Sequence, residues 1–184
     1  MGRYYDTDRR GGWMAARLPD WEQAPHVCVL VRGRAALPPG RHMLRLSAGG
    51  YYYAWLDGEW LGQGPAPAGE GCRYYQEYPV EGGRTVTVAL LLCRRAAEDM
   101  GWCGGAERPA LWAQFVRVGR VGARCAGDWR YRLCRAWPEE GGFDSRLWPQ
   151  GWERPRFRDR GWARMVPERR RHDRLLPQPA AGLE

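Results

Sequence analysis

The chain has 184 residues, with 29 Lys or Arg against 21 Asp or Glu and a formal net charge of +8. That length suits one ordinary domain with extra chain at its ends, and the longest apolar run, residues 86–93, is interrupted by Thr87 and far too short to span a bilayer. The basic balance would normally raise nucleic-acid binding, but the sequence has no Lys, no Asn and no Ile, all residues with AT-rich codons, so a GC-rich genome explains the abundance of Arg.

The Arg residues are scattered and many alternate with Asp or Glu. Their dense cluster, Arg169-Arg170-Arg171, reads as a solvated tail, and nucleic acid is not expected as a partner. The N-terminus, Met1-Gly2-Arg3-Tyr4-Tyr5-Asp6, lacks the basic-then-apolar pattern of a secretion signal, which points to the cytoplasm.

In chain order, residues 1–20 read as a polar, flexible N-terminal arm. Val27 to Val31 is an apolar first strand, Pro38-Pro39-Gly40 a turn, and Arg41 to Ala48 an alternating strand with one wet face. After Gly49-Gly50 comes the strand Tyr51 to Leu56. Asp57-Gly58 then signals a hairpin, because both central residues of a type I′ turn need positive φ. The return strand is Glu59 to Gln63, followed by a Gly/Pro loop from Pro65 to Gly71. Tyr74 to Val80 is extended, and Arg84 to Cys93 reads as a central strand buried on both faces. Leu111 to Val118 and Trp129 to Leu133 complete the strands, with a loop from Ala96 to Pro109 and one short helix allowed at Arg94 to Met100. Strands at this spacing, separated by turn signals, make the expected fold an all-β, antiparallel two-sheet sandwich. The expected domains are the sandwich over 21–136 and a Trp-anchored connector toward a following domain over 137–184, disordered from Pro177 on.

The six cysteines, at 28, 72, 93, 103, 125 and 134, show no C-x-x-C spacing, so neither a zinc ribbon nor a thioredoxin motif is present. Free buried thiols are expected, with a Cys93–Cys103 bridge as the alternative.

The run Ser47-Ala48-Gly49-Gly50-Tyr51-Tyr52-Tyr53-Ala54-Trp55-Leu56-Asp57-Gly58, closing on Gly62-Gln63-Gly64-Pro65, resembles the N-terminal sandwich of bacterial α-L-rhamnosidases and related modular hydrolases. In that family the pattern is Ser-Ala-Asp-Gly, an aromatic strand, Asn-Gly and Gly-x-Gly-Pro. Here Gly49 stands for the Asp and Asp57 for the Asn. Phe143-Asp144-Ser145-Arg146, Gly151-Trp152 and Phe157-x-Asp159-x-Gly161-Trp162 are similar to the family's connector. The resemblance implies a galactose-binding-like, jelly-roll accessory domain. Its implied partner is a downstream (α/α)₆ catalytic domain of the parent chain.

No catalytic residue is expected in this chain. Glycoside hydrolysis needs two facing carboxylates, and Glu139-Glu140 with Asp144 lie in connector sequence with adjacent side chains pointing apart. Gly62-Gln63-Gly64-Pro65 is no phosphate loop, because Pro65 removes a donor and no helix follows. Neither a metal nor a cofactor is expected, as no D-x-D-x-D-G run occurs. Carbohydrate is the ligand class that the composition favours, since sugar C–H faces stack on aromatic rings and 11 Trp and 9 Tyr are available.

Alternation puts Tyr51, Tyr53 and Trp55 on one face of their strand and Tyr52, Ala54 and Leu56 on the other. The aliphatic set should face the core, leaving Tyr51, Tyr53 and Trp55 outside, either exposed or roofed by Trp residues of the tail. Trp60, Gln63, Glu70 and Trp102 lie in or near loops and complete the candidate sugar-binding set. The alternatives to an accessory domain are a self-standing lectin-like module and a protein-interaction module using the exposed aromatic face.

Overall fold

The structure is a computed structural model, and it describes residues 12–19, 26–66, 72–95, 109–119, 123–124, 128–137, 142–168 and 174–179. Among these residues two sheets stack into a sandwich. The first contains β1 (Met14–Ala15), β3 (Arg41–Gly49), β6 (Cys72–Glu81), β8 (Ala110–Arg117), β9 (Ala123–Arg124), β12 (Val166–Pro167) and β13 (Arg174–Pro177). They run in the order β12-β1-β8-β3-β6-β13, with β9 alongside β8. The second contains β2 (His26–Ala36), β4 (Tyr51–Leu56), β5 (Glu59–Gly64), β7 (Thr85–Arg95), β10 (Arg130–Leu133) and β11 (Ala163–Arg164), in the order β11-β10-β2-β7-β4-β5. All pairings are antiparallel except β6 with β13.

The expected strands are all present, most extended by a few residues. β2 and β7 run paired over eleven residues each, from His26↔Arg95 to Ala36↔Thr85, and form the spine of the second sheet. Period-two alternation sends Val27, Val29 and Val31 of β2 inward, with Val86, Val88, Leu90 and Leu92 of β7. They meet Leu44, Leu46 and Ala48 of β3 and Leu111, Ala113 and Phe115 of β8 from the other sheet. Residues such as Leu44, Leu46, Leu90 and Leu92 are fully buried, each worth about 2–3 kcal/mol in apolar area removed from water.

The hairpin closes as its sequence demands. Asp57 has φ 53° and Gly58 φ 92°, the two left-handed positions of a type I′ turn. Asp57 also ties the turn to the spine: its backbone N–H donates to Thr87 O (2.8 Å), and its carboxylate accepts from the Thr87 N–H (2.7 Å) and from Arg84.

Three features depart from the expectation. Residues 13–16 lie inside the sandwich instead of in a loose arm: β1 pairs with β8 and β12, and Trp13, Ala15 and Ala16 are buried. Residues 163–167 and 174–177 add β11, β12 and β13, so stretches of the expected connector belong to the two sheets. Pro177 ends β13, and Gln178 donates its N–H to Tyr75 O (2.8 Å). The candidate helix at 94–100 gives way, at Arg94 and Arg95, to the end of β7, and its remaining residues lie outside the described set. Among the described residues, the helical element is one 3₁₀ turn at Ser145–Leu147, capped by the Asp144 side chain, and no helix is long and apolar enough to cross a membrane.

Candidate functional site

The outer face of the second sheet carries a second layer of side chains. β2 presents Cys28, Leu30 and Arg32 there, β7 presents Ala89, Leu91 and Cys93, and β4 presents Tyr51, Tyr53 and Trp55. The expected division of the aromatic strand is therefore the observed one, with Tyr52 and Ala54 in the inner core and Tyr51, Tyr53 and Trp55 outside.

Much of this face is roofed by the segment 148–162. Trp152 is fully buried and packs edge-on against Trp55, with ring centroids 5.4 Å apart. Trp148 (5.8 Å) and Trp162 (6.4 Å) flank it. The tail Trp residues thus build a second small core, which is why Tyr51, Tyr53 and Trp55 are half-buried and not exposed.

A buried ion pair fastens the roof. Arg32 is 1% exposed in the middle of β2, and its Nε donates to Asp159 Oδ2 at 3.0 Å. Its Nη1 donates to Trp152 O, and Arg34 approaches the same carboxylate at 3.5 Å. Asp159 belongs to the Phe157-x-Asp159-x-Gly161-Trp162 block, and its own carbonyl accepts the Trp162 N–H (3.0 Å). Desolvation lowers the Arg32 pKa from its ordinary value, and the Asp159 carboxylate beside it opposes that shift. Sequence reasoning missed this clamp. Its signal was an Arg that follows the apolar Cys28 and Leu30 on the outer face of β2.

At the edge strand β5 the roof ends. Trp60 is 56% exposed, the most exposed large hydrophobic side chain among the described residues. It stands beside Trp55 (5.3 Å, edge-on) and Tyr53 (6.1 Å, tilted). Exposed Gln63 lies directly opposite Tyr53.

In a regular strand, residues 60 and 63 would point to opposite faces. Here the pairing shifts by one between Ala54 and Trp55: Ala54 faces Gly62, Trp55 faces Trp60, and Leu61 is the extra residue. Leu61 packs toward the inner core, and the bulge swings Trp60 and Gln63 onto the same outer face as Tyr53 and Trp55. Gly62 makes room for the bulge, since a Cβ there would sit 2.9 Å from the Tyr78 hydroxyl. Behind Gly62 and Gly64, Tyr52 and Tyr78 both donate to Gln76 Oε1, a part-buried polar cluster that stiffens the hairpin from inside. A lone Gly in a strand is a recognised sign of a bulge, so this signal was present in the sequence.

The structure therefore brings together five of the named residues, Tyr51, Tyr53, Trp55, Trp60 and Gln63. Glu70 and Trp102 lie outside the described residues, as do Glu139 and Glu140. Asp144, the other carboxylate weighed for catalysis, caps the 3₁₀ turn and pairs with Arg146, which holds its carboxyl below the usual range. Among the described residues no group of three or more His, Cys, Asp or Glu could hold a metal ion. What remains is an exposed indole with two half-buried aromatic rings and a primary amide beside it, suited to stacking on a flat apolar face while bonding adjacent hydroxyls.

No protein-family model matches the sequence, and no curated protein does. Solved structures do match. A GH78 family rhamnosidase of Bacillus sp. GL1 is 21% identical with a TM-score of 0.70, the match covering 92% of this chain and 20% of that one. An α-L-rhamnosidase from Aspergillus terreus is 17% identical with a TM-score of 0.68, covering 91% of this chain and 22% of the other. A Pleurotus ostreatus lectin, solved in complex with GalNAc, is 14% identical with a TM-score of 0.51, covering 85% of this chain and 42% of the lectin. This chain thus has the fold of a β-sandwich found within α-L-rhamnosidases and spans about a fifth of the length of those it matches.

Proposed function

We propose that this chain is a non-catalytic accessory β-sandwich module of an α-L-rhamnosidase-like glycoside hydrolase, with a structural or weakly carbohydrate-binding role. The observation that carries the reading is the extent of the match: nearly all of this chain aligns with about a fifth of each rhamnosidase, leaving most of the hydrolase without a counterpart here. The proposed partner is a following catalytic domain of the parent chain, which rests on the family resemblance and on most of each rhamnosidase having no counterpart here. The exposed side chains of Trp137, Phe143 and Leu147 offer that domain an apolar surface. A cytoplasmic location goes with this reading.

Weak sugar binding would use Trp60 as the stacking platform, Gln63 as the hydroxyl partner, and Tyr53 and Trp55 as the wall beside them, with Tyr51 farther along the face. Glu70 and Trp102 stay in the proposed set on sequence grounds. The test is calorimetry and a glycan array with L-rhamnose and galactose-type sugars. Millimolar binding that Trp60→Ala abolishes supports the sugar role, and silence at millimolar sugar leaves only the structural one. Rhamnosidase assays on this chain should show no turnover, and genuine turnover would overturn the proposal.

The second reading is a self-standing lectin-like module, favoured by the likeness to the Pleurotus lectin. It requires submillimolar affinity by this chain alone. A third, a protein-interaction module using the aromatic face, requires a protein partner whose binding is lost in Trp60→Ala.

A further inference from the structure

Three cysteines line up across the outer face of the second sheet, on the adjacent strands β7 and β2 and just past the end of β10. Cys28 and Cys93 are direct cross-strand partners with their sulfurs 2.8 Å apart. Cys134 lies on the other side of Cys28 and donates its N–H to Cys28 O (2.8 Å). That bond fixes the ladder. In an antiparallel sheet a residue directs both its N–H and its C=O to the same neighbouring strand, so Cys28 spends its backbone groups on Cys134 and none on Cys93. Cys28 and Cys93 are therefore a non-hydrogen-bonded pair, the kind in which Cα atoms come within about 4.5 Å and side chains lean together. That separation lies inside the range of about 4.4–6.8 Å that a disulfide spans. Cys28 and Cys134 form the hydrogen-bonded kind, whose Cα atoms stand about 5.5 Å apart with side chains farther from each other.

We propose that Cys28 and Cys93 are a redox site: a dithiol that small-molecule disulfides of the glutathione class oxidise reversibly to a cross-strand disulfide.

The two thiols differ in access. Cys28 is half-buried, whereas Cys93 is 3% exposed beneath Tyr51 and the second core. The Cys28 sulfur held against it, and burial after that, push the Cys93 thiol above the ordinary range. The Cys28 sulfur attacks one sulfur of the oxidant. The S–S bond of the oxidant breaks, and its other half leaves as a thiol that takes the Cys28 proton. The Cys93 sulfur then attacks Cys28 in the mixed disulfide and expels the second thiol, which takes the Cys93 proton. Two electrons pass from the dithiol to the oxidant, one disulfide is lost and one is gained. The new bond would link β2 to β7 under the aromatic layer and close a loop between positions 65 apart in sequence.

The experiment equilibrates the purified chain in glutathione buffers from reducing to oxidising, quenches it with acid, unfolds and alkylates it, and maps the peptides. Cys28 and Cys93 should lose their label together with one shared midpoint and appear as a linked peptide pair, while Cys134 remains alkylated. The oxidised chain should melt roughly 5–10 °C higher than the reduced one. In Cys93→Ser, Cys28 should instead accumulate as a glutathione adduct that the wild-type chain does not retain. The proposal is overturned if both cysteines stay alkylated at the oxidising end of the series. It is equally overturned if Cys28 is found linked to Cys134 or to any other cysteine.

Discussion

The molecule has two cores, and they are built on opposite principles. The inner one, between the sheets, is mainly aliphatic: Val, Leu and Ala residues at alternating positions of β2, β3, β7 and β8, with Tyr52, Phe115, Trp129 and Tyr131 packed among them. The outer one is aromatic and discontinuous, with Trp152, Trp162 and Trp148 over Leu30, Leu91 and Trp55, and it is held by a buried ion pair at Arg32 and Asp159. The first follows from local alternation and needs no specific long-range partner beyond another apolar face. The second depends on one charge meeting another across 127 residues of sequence.

The sharpest way to break that contrast is Asp159→Ala. It leaves Arg32 buried without its counter-charge, and the loss should be about 3–5 kcal/mol. Denaturant unfolding measures the loss, and a red-shifted Trp emission would report the opened roof. Replacing both partners together, as Arg32→Met with Asp159→Leu, should recover much of the loss, because an apolar pair removes the unpaired charge.

Leu90→Ala in the inner core should cost about 2–4 kcal/mol through transfer and cavity terms. Here the roof and the sandwich should unfold together, so Trp emission and circular dichroism should share one midpoint.

Tyr52→Phe should cost about 1 kcal/mol, since it deletes a buried hydroxyl that donates to Gln76. Burial, with Tyr78 alongside, raises the Tyr52 pKa above its ordinary value of 10.0. The folded chain therefore holds that proton more tightly than the unfolded one. The contribution is fully present below about pH 10 and falls away as pH rises through and above that value. An alkaline stability profile of wild type against Tyr52→Phe should converge above about pH 10.

Trp60→Ala should have the smallest effect on stability, about 0.5 kcal/mol or less, because the indole is mostly in solvent. A larger loss would mean that Trp60 belongs to the outer core and not to a binding surface.

The inner core was legible in the sequence because alternation is a local property. Arg41 to Ala48 and Tyr51 to Leu56 each declare their buried face in a few residues, and Asp57-Gly58 declares the turn. The outer faces of Tyr51, Tyr53 and Trp55 followed from the same rule. β1 escaped notice because two residues, Met14–Ala15, are too few to show a period, and their burial depends on β8 and β12 being in place. β13 escaped because its parallel partner, β6, lies about a hundred residues away. The union of Trp60 with Gln63 was hidden by the bulge at Leu61, which breaks the alternation that sequence reading relies on. Arg32 was hidden among 29 basic residues scattered along the chain.

The Arg32–Asp159 pair also has a consequence for when the chain can finish folding. During synthesis β2 emerges early, carrying a cation at a site that becomes dry only once the roof is laid down. Until Asp159 has been made, that face must stay hydrated, so the sandwich can gather its aliphatic interior well before it can dry its exterior. Cutting the chain at residue 137 would halt it at that stage. The fragment would keep its spine strands yet carry a solvent-facing arginine where the longer chain has a sealed one, and the segment that looks like a connector would be revealed as the last step in building the sandwich.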